Sequence, residues 1–132
     1  MTMNTLLTPI ALAAALSGCA IIPQTGAPMS ALPAGSATAL NESVAVGPLV
    51  ATPLKVVEDS RCPMNARCIR AGEAIVTTRL SNGERTVTTD LKLGEPAQAL
   101  GYAVRLVDVA PARMTDTTLT ARDYRFTYEL AE

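Results

Sequence analysis

Residues 74–91 read AIVTTRLSNGERTVTTDL and predict a β-hairpin, the feature that decides the fold class. Asn82-Gly83 lies between two runs rich in β-branched residues. Asn-Gly favours a type I′ turn, because both central residues of that turn adopt positive φ. A two-residue turn here pairs residue 80 with 85, 78 with 87, 76 with 89 and 74 with 91. This register puts four apolar side chains on one face: Val76, Leu80, Val87 and Leu91.

Two later stretches also alternate with the period of a strand. Residues 124–130 place three of the four aromatic residues of the chain on one face, which predicts a core-forming strand. Residues 102–109 predict another strand, whose alternation slips between Leu106 and Val107. Such a slip indicates either a β-bulge or a strand that is buried on both faces.

The residues before the hairpin add further strands and complete the predicted fold. Residues 43–46 and 49–57 give one or two strands, with Pro53 favouring an edge position because proline cannot donate to a sheet ladder. About five to seven short strands within residues 42–132 predict an all-β domain. We therefore expect a small antiparallel β-sandwich or barrel.

The composition shows that the chain has regions of different character. Of the 132 residues, 48% are hydrophobic and 17% are charged, with a net charge of −1. All the charged residues lie from Glu42 onward, so the last part of the chain has about the charge content of an ordinary soluble domain. The balanced charge gives no electrostatic reason to expect nucleic acid as a partner. The absence of histidine excludes histidine-based catalysis and most zinc sites.

The first 18 residues have the character of an export signal. They form an apolar stretch that is too short to span a bilayer. Leu16-Ser17-Gly18-Cys19 resembles the bacterial lipobox, in which the cysteine is lipidated and becomes the mature N-terminus. Ala20 stands where Asp is the usual inner-membrane retention signal, so the resemblance implies the periplasmic face of the outer membrane. The leader departs from the pattern in having no Lys or Arg before its apolar run.

We therefore predict a lipoprotein signal peptide over residues 1–18 and a membrane anchor at Cys19. The alternative is an ordinary secretory signal peptide with an incidental cysteine. Residues 20–41 are uncharged, rich in Ala, Pro, Gly, Ser and Thr, and lack a sustained period. Such a composition buries too little apolar surface to order the chain, which predicts a flexible tether over residues 19–41 and a β-sandwich domain over residues 42–132.

The two remaining cysteines, Cys62 and Cys68, predict a disulfide because the protein is expected to be exported. Two thiolates without further Cys or His make a poor zinc site. A redox pair is normally spaced Cys-x-x-Cys, which this pair is not. The disulfide would close a short, rigid loop over residues 62–68, called the disulfide loop below.

Charged side chains around this loop form the candidate binding surface, namely Asp59, Arg61, Arg67 and Arg70. In a binding role, the guanidinium groups would recognise a carboxylate or a phosphate. In the alternative, structural role, Asp59 and Arg61 pair with each other or with turn backbone and brace the loop.

The sequence offers little support for catalysis. Glu58 and Asp59 are adjacent, so their side chains point to opposite faces of a strand rather than forming an acid/base pair. Ser60 has no histidine to activate it. No calcium loop or glycine-rich phosphate loop occurs, so we predict a protein that is not an enzyme and has neither a cofactor nor a metal. A second hypothesis is a protease-inhibitor-like module that presents Met64 or Arg67 on the disulfide loop.

Residues 58–74 read EDSRCPMNARCIRAGEA and carry a resemblance to a known group. They are similar to the DSRCP…C-(V/I)-W-A-G signature of small, uncharacterised bacterial lipoproteins and secreted proteins. Residues 91–96 and 123–127 also resemble that group, although Arg70 stands where the group has tryptophan. The resemblance implies an envelope location and this architecture, but no particular chemistry. We thus expect an outer-membrane-anchored periplasmic lipoprotein whose non-catalytic β domain binds an envelope partner.

Overall fold

The computed structural model describes Gly18 and residues 30–131, and within these the chain forms seven antiparallel strands and no helix. Consequently, no helix of the described part is long and apolar enough to cross a membrane. Cys19 and the rest of the predicted signal peptide lie outside the described residues. The strands are β1 (Val44–Val46), β2 (Leu49–Asp59), β3 (Ala74–Ser81), β4 (Thr86–Lys92), β5 (Pro96–Ala99), β6 (Tyr102–Ala110) and β7 (Arg125–Leu130).

The strands form two sheets that pack face to face, which confirms the predicted β-sandwich. One sheet has the order β1-β2-β3-β4 and the other β5-β6-β7, and they do not close into a barrel. Alternate side chains of both sheets point inward and form one core, as expected for facing pleated sheets. The fully buried large residues of this core are Phe126, Leu49, Leu80, Leu91, Leu106, Val44, Val46, Val76 and Val104.

The hairpin of β3 and β4 is present, but the predicted register is wrong by two residues. Leu80 pairs with Val87 rather than with Arg85, because residues 82–85 form a four-residue loop instead of a two-residue turn. The Asn82 side chain holds this wider loop: its Oδ1 accepts hydrogen bonds from the N–H groups of Glu84 at 2.9 Å and Arg85 at 2.8 Å. Asparagine therefore acts through its side chain here, which backbone turn preferences alone do not predict.

The predicted hydrophobic face of this hairpin is confirmed, because a shift of two residues keeps every side chain on the same face. Val76, Leu80 and Leu91 are fully buried. Val87 lies at the turn end of the hairpin, beside the loop of residues 82–85, and is 37% exposed.

Most details of the other strand predictions are also confirmed. The register of β6 shifts between Leu106 and Asp108, so the predicted irregularity is a β-bulge at Val107. The three aromatic side chains of residues 124–130 are buried in the core, as predicted. Strand β5 was not predicted, because Pro96–Ala99 is short and lacks β-branched or aromatic residues.

The expected edge position of Pro53 is wrong, because Pro53 lies in β2, an inner strand of the first sheet. Strand β2 lies between β1 and β3, but its pairing with β1 ends at Ala51. The Pro53 carbonyl accepts a hydrogen bond from the Asn41 N–H at 2.7 Å, on the side of β2 that β1 no longer covers. In an antiparallel strand, the N–H and C=O of one residue point to the same side. The N–H that Pro53 lacks would therefore point away from β3, and all hydrogen bonds between β2 and β3 can still form.

Residues 30–41 correct the predicted boundary between tether and domain. They lie on the sandwich rather than forming part of a flexible segment, and Thr38 is fully buried. Thr38 and Phe126 exchange two backbone hydrogen bonds of 2.9 Å, while Leu32 bridges to Val44. Leu32 and Leu40 pack against the core. Composition alone missed these contacts because few apolar side chains, spaced without a period, make them.

Candidate functional site

The disulfide loop connects β2 to β3 and is ordered by its own backbone. Cys62 and Cys68 form the predicted disulfide, with their Cα atoms 5.9 Å apart. The Cys62 N–H donates to the Ala71 carbonyl at 2.9 Å, which continues the pairing of the two strands into the loop. Inside the loop, the Ala66 N–H donates to the Pro63 carbonyl at 3.1 Å and closes a tight turn. The chain therefore leaves the sheet as a compact projection.

Asp59 and Arg61 brace the base of this loop. Arg61 makes a bidentate ion pair with Asp59, with Nε to Oδ1 at 2.7 Å and Nη2 to Oδ2 at 2.9 Å. The Tyr124 hydroxyl donates to Asp59 Oδ2 at 2.8 Å. The other Arg61 hydrogen bonds go to the carbonyls of Val109 at 2.5 Å and Pro111 at 3.1 Å. Val109 belongs to β6, and Tyr124 immediately precedes β7. The brace therefore connects the disulfide loop to the second sheet.

The protonation states of the brace follow from this geometry. Burial raises the pKa of Asp59, but hydrogen bonds from Arg61 and Tyr124 outweigh burial and leave this pKa below its ordinary value. Burial, together with the hydrogen bond to Asp59, raises the pKa of Tyr124 to about 12. At neutral pH the carboxylate is therefore charged and the phenol is neutral, as the hydrogen bonds require.

This arrangement favours the structural interpretation of Asp59 and Arg61. Their side chains are only 7% and 15% exposed, and the carboxylate and guanidinium already bind each other and the protein. Neither group remains free to bind a ligand, so the structure does not support their assignment to the binding surface.

A second set of contacts, which the sequence did not predict, fixes the outer part of the disulfide loop. Arg113 Nη1 donates to the Arg61 carbonyl at 2.7 Å, and the Met64 N–H donates to the Arg113 carbonyl at 2.8 Å. Asn65 and Thr115 exchange two hydrogen bonds of 2.9 and 3.0 Å. These partners lie about 50 residues apart in the chain, and nothing local in the sequence marks them.

Exposed apolar side chains occur in the disulfide loop, directly after it and in the segment that contacts it. Met64 is 75% exposed and Ile69 is fully exposed. Met114, in the segment that holds the loop, is 39% exposed. The hydrogen bond between Met64 and Arg113 brings the backbone of the two methionine-bearing segments together. Ordered apolar groups on the surface are a mark of an interaction site when they cluster.

The two other arginines of the predicted surface alternate with Met64 and Ile69 along the chain. Arg67 and Arg70 are exposed, and within residues 30–131 neither makes an ion pair or a side-chain hydrogen bond. Glu73, the first acidic residue after the loop, pairs with Lys92 at 2.8 Å instead. We define the loop surface as Met64, Arg67, Ile69, Arg70 and Met114.

The described chain also has grooves away from the loop surface, and one of about 520 Å³ beside β2 combines apolar side chains with Lys55 and Glu58. A shallow groove of about 560 Å³ on the outer face of the first sheet is lined by Arg79, small hydroxyl side chains and no carboxylate. Among residues 30–131, no three His, Cys, Asp or Glu side chains cluster as metal ligands would. Comparison of the chain with models of known families, with curated proteins and with solved structures gave no significant match.

Proposed function

We propose that the protein is a lipoprotein, anchored through Cys19 to the periplasmic face of the outer membrane, whose sandwich acts as a non-catalytic binding module. The loop surface is its binding site. The protein would hold an envelope partner at the membrane, and it would need no cofactor for this role.

The observation that carries the binding role is the contrast between the fixed backbone of the loop and the exposure of its side chains. The disulfide, the Arg61 brace and the contacts with Arg113 and Thr115 hold the loop in one conformation. A loop that is ordered before binding loses little conformational entropy when a partner covers it. Burial of Met64 and Ile69 by that partner would contribute about 1.5–3 kcal/mol for each side chain.

The anchor rests on sequence features. Leu16-Ser17-Gly18-Cys19 follows an apolar run, and Ala20 fits an outer-membrane destination. Three acyl chains, as lipoproteins of this kind carry, would give an effectively permanent anchor, since two anchoring signals already bind a membrane stably. The resemblance of residues 58–74 to small bacterial lipoproteins is consistent with this assignment.

The binding role is tested with the full-length lipoprotein carrying Met64→Ser and Ile69→Ser. Both side chains are exposed, so the fold should remain intact, which circular dichroism checks. We expect the partner recovered from envelope extracts by the wild type to be depleted at least about tenfold with the variant. Val57→Ser is the matched control, because Val57 is half exposed but lies outside the loop surface. Equal recovery by all three proteins would refute the loop surface as the binding site.

The exposed Arg67 supports a second candidate function, inhibition of a trypsin-like protease by insertion of the loop into its cleft. This function predicts stoichiometric inhibition that Arg67→Ala abolishes. A lack of inhibition across trypsin-like and periplasmic proteases would exclude it.

A further inference from the structure

We propose that the loop surface docks on a protein partner that presents carboxylates around an apolar pocket, and that the anchor leaves this surface facing away from the membrane. The direction of the surface rests on the proposed lipid anchor at Cys19, whereas the chemistry of docking does not.

The charge of the loop surface argues for an acidic partner. Residues 60–72 contain three arginines and no acidic residue. Asp59 neutralises Arg61, which leaves Arg67 and Arg70 as the cations available to a partner. Guanidinium groups bind carboxylates through two parallel hydrogen bonds, so Arg67 in the disulfide loop and Arg70 just after it are suited to a partner that presents Asp or Glu side chains.

The apolar side chains argue for a protein rather than a small anion. Ile69 lies between Cys68 and Arg70 and is fully exposed, and Met64 and Met114 add further apolar surface. Interfaces between proteins are enriched in methionine and arginine, and their strongest contacts are side chains that fill a pocket. Ile69 is the side chain that would fill such a pocket, with the arginines at its rim.

The place where the chain joins the sandwich gives the direction of the surface. Ser30 lies beside Ser81 and Thr86, at the end of β3 where the hairpin turns into β4. The disulfide loop lies at the other end of β3, before Ala74. The length of β3 separates the two places by about 24 Å.

With the proposed anchor at Cys19, the chain enters the sandwich at the hairpin end, and the loop surface lies at the opposite end of the domain. A protein partner can therefore meet the loop surface on the side away from the point of attachment. This geometry favours a protein over the anchoring lipid.

A photo-crosslinking amino acid at position 69 of the full-length lipoprotein tests the proposal in cells. We expect one protein adduct whose crosslinked region contains Asp or Glu side chains, and no adduct with the same label at the exposed Thr88 of β4. The double substitution Arg67→Glu, Arg70→Glu should reduce the adduct at least about tenfold. Arg79→Glu with Arg85→Glu is the matched control, since it makes the same change in net charge at the hairpin end and should leave the adduct unchanged.

Replacement of the carboxylates of the partner by lysine should restore the adduct to the Arg67→Glu, Arg70→Glu form. An adduct that is indifferent to this charge reversal, or a label that inserts into phospholipid instead of protein, would overturn the proposal. Failure of the anchor has a different signature: Cys19 would be unmodified while the charge-dependent adduct persisted.

Discussion

At the scale of single residues, Arg61 contributes most to the order of the candidate site. Arg61→Ala removes the ion pair and the hydrogen bonds to two carbonyls, and it leaves the nearly buried carboxylate of Asp59 with Tyr124 as its remaining side-chain partner. We expect the free energy of unfolding to fall by about 3 kcal/mol, because an uncompensated buried charge is costly. Urea unfolding at pH 7 measures this change. Arg70→Ala is the matched control and should change stability by less than about 0.5 kcal/mol.

The loss of stability in Arg61→Ala should depend on pH. The hydrogen bonds from Arg61 and Tyr124 outweigh burial and lower the pKa of Asp59, so the brace stabilises the fold fully above the ordinary carboxyl value of about 4. This contribution is lost as the pH falls through the lowered pKa of the folded state. The difference in stability between wild type and Arg61→Ala should therefore shrink between pH 5 and pH 2. A difference that stays constant over this range would show that the ion pair does not form.

A buried hydroxyl pair in the core gives a second prediction. Thr78 Oγ1 and Tyr128 Oη lie 2.9 Å apart, and both side chains are buried. Thr78→Val leaves the phenol without this partner and should cost about 1–3 kcal/mol. The double variant Thr78→Val, Tyr128→Phe should cost less than the sum of the single variants, since it removes both polar groups. Thermal unfolding of the four proteins measures the coupling, and strict additivity would contradict the hydrogen bond.

At the scale of elements, Gly72 limits how β2 and β3 join the disulfide loop. Its φ is +71°, and a Cβ atom at this position would lie 1.7 Å from the Ser60 carbonyl oxygen. Gly83 has a φ of +91° but open space around it. Gly83→Ala should therefore cost only the backbone strain of about 1 kcal/mol, while Gly72→Ala should cost clearly more because the backbone must move. Equal losses in chemical denaturation would show that the strands do not approach so closely.

Element-scale features were predicted well where local patterns specify them. Alternation predicted the buried face of the β3–β4 hairpin and an irregularity in β6, because side-chain period depends only on neighbouring residues. The structure identifies that irregularity as a bulge at Val107. The loop length of that hairpin was wrong because the Asn82 side chain replaces the expected backbone turn. The β5 strand was missed because its partner in β6, rather than its own composition, makes it a strand.

At the scale of the whole molecule, residues 30–41 belong to the sandwich. A chain that begins at Glu42 would lack the buried Thr38, its backbone bonds to Phe126 and the packing of Leu32 and Leu40. We expect this chain to be at least about 3 kcal/mol less stable than one that begins at Ser30, because the edge of β7 and part of the core become exposed. Differential scanning calorimetry compares the two chains. Equal melting temperatures would show that residues 30–41 do not stabilise the sandwich and that the domain begins at residue 42, as the composition predicted.

The candidate site could be predicted only in part, for a reason that also belongs to this scale. The Cys62–Cys68 disulfide and the bracing alternative for Asp59 with Arg61 follow from residues close in sequence. The contacts with Tyr124, Arg113 and Thr115 join the two sheets, so they exist only after the sandwich has formed. Because of those distant contacts, Arg61 is bound within the protein, whereas Arg67 and Arg70 remain exposed.

The central claim is that the disulfide loop is held in one conformation before any partner arrives. Amide hydrogen exchange of Cys62 and Met64 tests this claim most directly, because their N–H groups donate to Ala71 and Arg113. The structure predicts slow exchange at both amides in the free protein and much faster exchange in Arg61→Ala under conditions where the sandwich stays folded. Fast exchange at these amides in the free wild-type protein would contradict the claim.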